Sequence, residues 1–151
     1  MKKFVAVLLA AVLCLSFAAC GGDKATDKTV AAMFQALLTD VTYTDNATEL
    51  DSSMAGVLLG GELPDGTEAY LAANDSAYLR CAVFACKDKD AAAAVKKLIQ
   101  TYIDDSINAK YNVDEVALLQ NAKIHSMGNY VAVAVTSDTD NVNKVIDQYF
   151  A

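Results

Sequence analysis

Ala122-Lys123-Ile124-His125-Ser126-Met127-Gly128-Asn129-Tyr130-Val131-Ala132-Val133-Ala134-Val135-Thr136 is the stretch whose reading decides the fold. Two alternating runs flank Gly128-Asn129, a pair suited to a two-residue type II′ or I′ hairpin turn. Such a turn fixes the register. Met127 pairs with Tyr130, Ser126 with Val131, His125 with Ala132, and Ile124 with Val133. Successive strand residues point to opposite faces. Ala122, Ile124, Ser126, Val131, Val133 and Val135 then form a core face. Lys123, His125, Met127, Tyr130, Ala132, Ala134 and Thr136 form a face expected to be wetter. His125, Met127 and Tyr130 are the candidate interaction patch, because tyrosine and methionine are over-used at contact surfaces.

Working outward, Glu68–Ala73 and Ala77–Cys86 read as a second hairpin joined through the turn formers Asn74-Asp75-Ser76. Lys87-Asp88-Lys89-Asp90 opens the longest helix, whose buried stripe is Val95, Leu98, Ile99 and Tyr102. Asn112 with Glu115 matches a capping box in outline and starts a short helix through Leu119. Val142, Val145, Ile146 and Tyr149 mark a C-terminal helix capped by Asp138 or Asp140. On the N-terminal side, Val30, Met33, Phe34 and Leu37 recur at helical spacing behind a cap at Thr26 or Asp27. Asp40–Leu50 reads as loop with a short extended piece around Tyr43. Asp51 caps a short helix carrying Met54, Val57 and Leu58, which Gly60-Gly61 ends. In Leu63-Pro64-Asp65-Gly66 the sole proline sits at the second position of a turn. The resulting order implies an α+β domain, an antiparallel sheet of two β-hairpins packed against helices, forming a single domain over 29–151.

The first twenty residues carry a different message. Lys2 and Lys3 precede an apolar run from Phe4 to Phe17, and Ala18-Ala19 lead into Cys20. The run is too short for a membrane span, which needs roughly 20 apolar residues, and has the shape of a secretory signal peptide. The small residues before Cys20 resemble the lipobox of bacterial lipoproteins, in which the cysteine is diacylated and the peptide is cut before it. Phe17 departs from that pattern, where Leu, Val or Ile is usual. A cleaved signal followed by a chance cysteine is the alternative. The expectation is therefore a signal peptide at 1–19, lipidation at Cys20, a polar tether over 20–28, and residence on the outer face of the cell membrane. Two acyl chains anchor a protein stably where one is marginal.

Charge narrows the partners. Twelve basic residues stand against nineteen acidic ones; once Lys2 and Lys3 leave with the signal, the formal charge moves from −7 to −9. Such a domain has no electrostatic route to nucleic acid.

Tyr111-Asn112-Val113-Asp114-Glu115, then Leu119, Asn121-Ala122 and Gly128-Asn129-Tyr130-Val131, resemble the signature of an uncharacterised Gram-positive bacterial lipoprotein family carrying a domain of unknown function. Tyr78–Lys87 with its following helix also fits, so the resemblance spans roughly 29–150. Val113 departs from it, standing where the family usually has proline. The resemblance implies fold and location, and brings no catalytic role.

No catalytic set assembles from the residue types. His125 is the sole histidine, which rules out multi-histidine metal sites and H-E-x-x-H. A Ser-His-Asp arrangement lacks a G-x-S-x-G elbow. Asp104-Asp105 and Asp114-Glu115 are helix neighbours that diverge by about 100°, read as solvated faces rather than a glycosidase pair. Asp138-Thr139-Asp140-Asn141 begins like a calcium loop without its later glycine and glutamate, so helix capping is simpler. Gly60-Gly61 is no phosphate cradle. Cys81 and Cys86 have opposite strand parity and cannot bridge each other, and read as buried small hydrophobes. The expectation is a non-catalytic binding or interaction module without a cofactor, its partner an envelope protein or small ligand. The alternative is a small hydrolase acting on envelope material.

Overall fold

The computed structural model describes residues 25–109 and 112–150; the expected signal peptide, Cys20 and the first part of the expected tether lie outside them. Its helices are α1 (Ala25–Asp40), α2 (Met54–Leu59), α3 (Lys89–Ala109), α4 (Val113–Asn121) and α5 (Thr139–Phe150). The strands are β1 (Thr48–Leu50), β2 (Glu68–Ala73), β3 (Leu79–Ala85), β4 (Lys123–Met127) and β5 (Tyr130–Ala134). They pair antiparallel throughout in the order β1-β2-β3-β5-β4. The two expected hairpins thus meet along β3 and β5, and the α+β single-domain reading holds.

The hairpin 123–134 has the register its turn dictates, Met127 opposite Tyr130 and Ile124 opposite Val133. Gly128 has φ +61° while Asn129 stays at negative φ, which makes the turn type II′. Asn129 also ties this turn to the neighbouring hairpin. Its Nδ2 donates to the Cys86 carbonyl at 2.6 Å, and the Cys86 N–H donates to its carbonyl at 2.8 Å.

Helices cover both faces of the sheet, and here the expectation of a wetter face fails. On one face Leu71, Ala82, Phe84, Val131 and Val133 pack against α2, α3 and α4. On the other, Ala72, Cys81, Val83, Ala132 and Ala134 pack against Val30, Met33, Phe34 and Leu37 of α1 and Val142, Val145 and Ile146 of α5. Ala132, Ala134 and Thr136, assigned to the wet side, are therefore buried. Small side chains let the helices approach closely, and alternation in sequence cannot distinguish alanine facing water from alanine under a helix. The central strand β3 is buried almost end to end.

Several local details differ from expectation. Helix α1 starts at Ala25, inside the expected tether, so Thr26 and Asp27 lie within it instead of capping it. An edge strand forms at Thr48–Leu50, paired to β2, rather than around Tyr43. The proline turn is displaced by one residue: the Thr67 N–H donates to the Pro64 carbonyl at 3.1 Å, with Gly66 at φ +77°. Asn112 does cap α4, its side chain accepting from the Asp114 N–H at 2.9 Å. Asp88 caps α3 through the Ala91 N–H at 2.8 Å.

Helix α2 turns Met54 and Val57 outward. Ala55 and Leu59 are its buried residues, while Met54 is 42 % and Val57 74 % exposed. Six residues are too few for periodicity to choose a face; tertiary packing chooses it instead. A Cβ on Gly56 would lie 2.9 Å from the Gly61 carbonyl oxygen, and one on Gly61 would lie 2.6 Å from Leu98 Cδ1. Gly60, at φ +73°, closes the helix by donating its N–H to the Gly56 carbonyl. Gly56→Ala meets backbone that cannot swing aside. It should lower stability by about 1–3 kcal/mol, read as a fall in urea midpoint at unchanged slope; an unaltered midpoint would refute the close approach.

Candidate functional site

The most organised polar cluster of the described residues was not anticipated. Arg80 is 1 % exposed and lies at a bulge, because Leu79 pairs with Ala73 while Cys81 pairs with Ala72, leaving Arg80 as the extra residue. Its side chain leaves the strand alternation and meets two carboxylates. Nε and Nη2 donate to Asp45 at 2.7 and 2.9 Å, and Nη1 and Nη2 donate to Glu115 at 2.8 Å each. Nη1 also donates to the Leu79 carbonyl at 3.2 Å. All five guanidinium N–H donors are thereby used.

Glu115 is buried, which corrects the reading of Asp114-Glu115 as a solvated face. Asp114 remains exposed, as do Asp104 and Asp105. Nor does Glu115 close a capping box; it is drawn into the ion pair instead. Burial opposes the charge on Arg80, but the hydrogen bonds to Asp45 and Glu115 outweigh it and raise its pKa. The Arg80 hydrogen bonds hold the partly exposed Asp45 down to about 2. The triad fastens the loop after α1 and the first turn of α4 to one end of β3. Asn74 extends it, donating to Asp45 at 2.6 Å and accepting from the Ser76 and Tyr78 N–H groups. Tyr102 accepts from the Leu79 N–H at 3.0 Å. With every donor engaged, this cluster locks structure and offers no free guanidinium to a ligand.

The hairpin patch does come together. His125, Met127 and Tyr130 share one face, Met127 opposite Tyr130 and 43 % exposed, with His125 and Tyr130 half-buried. His125 Nε2 is buried without a hydrogen-bond partner. Burial, with Lys123 nearby, lowers its pKa against the opposing pull of Asp147, so the neutral ring is favoured. Tyr130 packs against the second core, so its replacement would disturb packing as well as contact.

Cys81 and Cys86, the two cysteines among the described residues, are free and buried, on opposite cores. Burial pushes the Cys81 thiol up to about 11 and also raises that of Cys86. Beside Cys81, burial raises the pKa of Tyr43, whose hydroxyl donates to the Leu37 carbonyl at 2.9 Å. Protonated, enclosed thiols are poor nucleophiles. Asp138 tethers the loop before β1: its carboxylate accepts from the Thr42 N–H and the Asn141 side chain at 2.9 Å each, and these bonds lower its pKa. No group of three or more histidines, cysteines and carboxylates is placed to hold a metal ion among the described residues.

Concave surface lies at the opposite edge of the sheet from the hairpin patch. Leu50, Met54, Val57, Leu58, Ala73 and Ala77 line a largely apolar cleft of about 480 Å³, with Asn74 and Asp75 at its rim. A cleft of about 270 Å³ continues past Leu50 to Glu49, Asp51 and Glu68. A third, of about 470 Å³, shares Ser52, Glu68 and Ala69 with the second and reaches Leu63 and Thr67. The sequence marks Met54, Val57 and Leu58 as carried on a short helix without assigning them a face, so this surface was not anticipated.

Residues 64–136, from Pro64 through β5 to Thr136, match a family described as a domain of unknown function (DUF4358). The resemblance read from Tyr111–Val131 therefore holds as a domain of unknown function. No curated protein and no solved structure matches the chain.

Proposed function

We propose that this chain is a membrane-anchored extracytoplasmic lipoprotein, diacylated at Cys20, whose folded domain binds a partner and performs no catalysis. The anchor rests on Lys2-Lys3, the apolar run to Phe17 and Ala18-Ala19-Cys20. No described helix is long and apolar enough to cross a membrane. The observation that carries the binding role is the contrast between the polar and apolar surfaces. Arg80, Asp45 and Glu115 are spent on one another, whereas Met54 and Val57 stand exposed beside a cleft. Exposed apolar surface next to concave surface serves contact. A hydrolase on envelope material is the weaker reading, since Asp104 and Asp105 are exposed and His125 Nε2 is buried with no hydrogen bond to a carboxylate or hydroxyl.

The test is metabolic labelling of producing cells with an alkyne fatty acid, followed by cross-linking in intact cells, with Cys20→Ala as the unanchored control. Labelling that depends on Cys20, together with a defined cross-linked species lost in the variant, is the expected result. Labelling that persists in Cys20→Ala would remove the anchor, and hydrolysis of isolated envelope by the purified chain would replace the binding role.

A further inference from the structure

We propose that the run of clefts along β1 and α2 is a docking surface for a basic, amphipathic segment of a partner polypeptide. The proposal deepens the binding reading by naming the surface and the chemistry of its occupant.

Three observations meet here. The first is shape. The clefts adjoin one another, the first two sharing Leu50 and the last two sharing Ser52, Glu68 and Ala69. A run of this kind accommodates an elongated occupant better than a compact molecule. The second is exposed apolar surface. Val57 is 74 % and Met54 42 % exposed, and Leu50 and Leu58 lie partly buried between them and the core. Ala55 and Leu59 enter the core and Gly61 lies close against Leu98 of α3, which leaves Met54 and Val57 facing outward.

The third is charge. Between Lys28 and Arg80 the chain has no lysine, arginine or histidine, yet it carries eight carboxylates from Asp40 to Asp75. Arg80 itself is buried and paired. Glu49, Asp51, Glu68 and Asp75 are exposed around the clefts. Lys87, beside the Gly66 turn, flanks the far end of the run. An apolar cleft at one end and carboxylates along the rest of the run select apolar side chains interspersed with lysine or arginine, and long-range attraction would speed their encounter. The same charge disfavours other occupants. A second copy would bring identical carboxylates against these under two-fold symmetry, and anionic headgroups would be repelled.

The test uses the full chain purified in a neutral detergent and two fluorescein-labelled eight-residue probes, one alternating lysine with valine, the other glutamate with valine. Fluorescence anisotropy should show binding of the lysine probe alone, weakening as salt rises. Met54→Gln/Val57→Gln and Glu49→Gln/Asp51→Asn/Asp75→Asn should each weaken it about tenfold or more at unchanged thermal midpoint. Asp104→Asn/Asp105→Asn, on exposed positions of α3, should leave it unchanged. Equal binding by the cleft variants would overturn the proposal, as would equal loss in the α3 variant, which signals attraction to net charge alone. Self-association abolished by Met54→Gln/Val57→Gln would overturn it in favour of a second copy. A photo-cross-linking residue at position 57 or 127 in intact cells separates the two levels. Capture at 127 alone overturns the cleft assignment and leaves the binding role standing, whereas capture at neither overturns both.

Discussion

Arg80→Met should destabilise the domain by about 3–5 kcal/mol, because it leaves a buried carboxylate without its cation. Glu115 is 7 % exposed, so water cannot replace the two hydrogen bonds it loses. Asp45, with a side chain 41 % exposed, can be rehydrated and contributes less to the loss. Removing the buried carboxylate as well should reverse part of the effect. Arg80→Met/Glu115→Leu should be more stable than Arg80→Met alone, since apolar residues of similar volume commonly replace buried ion pairs without loss. Urea midpoints of the three variants measure this, and a double variant less stable than the single one would show that the triad is not the source of the cost.

The same residues set an acid limit. Asp45 has its folded pKa lowered to about 2 against an ordinary 3.8. A depressed folded pKa contributes stability that is fully present above the unfolded value and is lost as pH falls through the folded one. The loss from Asp45 therefore develops between about pH 4 and pH 2. It should be shallower in Arg80→Met, where Asp45 has lost the hydrogen bonds that lower its pKa. Identical acid profiles for the two proteins would detach Asp45 from that role.

What was legible in the sequence divides by the distance over which each feature is determined. Gly128-Asn129 fixes the register of β4 against β5 within a few residues, and the pairing followed. Val30, Met33, Phe34 and Leu37 repeat over enough turns to mark a helix, and all four are buried. Helix α2 has only six residues, and its face is set by tertiary packing, Ala55 and Leu59 entering the core and Gly61 lying close against Leu98 of α3. Strand β1 has three residues, and pairing with β2 alone makes it a strand. The ion triad joins residues 35 positions apart on either side of Arg80, a relation no local pattern expresses. Arg80 lay in plain view inside an otherwise apolar strand. A lone arginine in such a run predicts carboxylate partners, though it cannot say which ones. The candidate surface was the least legible part, because the six residues of α2 are too few to show which of its apolar side chains face outward.

A fragment limited to residues 64–136, the family-matched segment, should fail to fold as a soluble monomer. It retains β2, β3, α3, α4, β4 and β5, and with them most of one core. It omits α1 and α5, which cover Ala72, Cys81, Val83, Ala132 and Ala134 on the other face. The omitted side chains Val30, Met33, Phe34, Leu37, Val142, Val145 and Ile146 each contribute about 1.5–3 kcal/mol by burial. Their sum, an upper bound for an extended reference chain, matches or exceeds the roughly 5–15 kcal/mol that keeps a domain folded. The fragment should aggregate or bind a hydrophobic dye without a cooperative melt, whereas the chain retaining α1 and α5 unfolds in one transition. A monomeric fragment with dispersed amide resonances would show that the second core is dispensable. A point substitution tests the same dependence within the intact chain. Phe34 is fully buried, with its ring 5.9 Å from that of Tyr70 on β2. Phe34→Ala should cost about 3–5 kcal/mol, a loss that a helix merely resting on a finished domain would not produce.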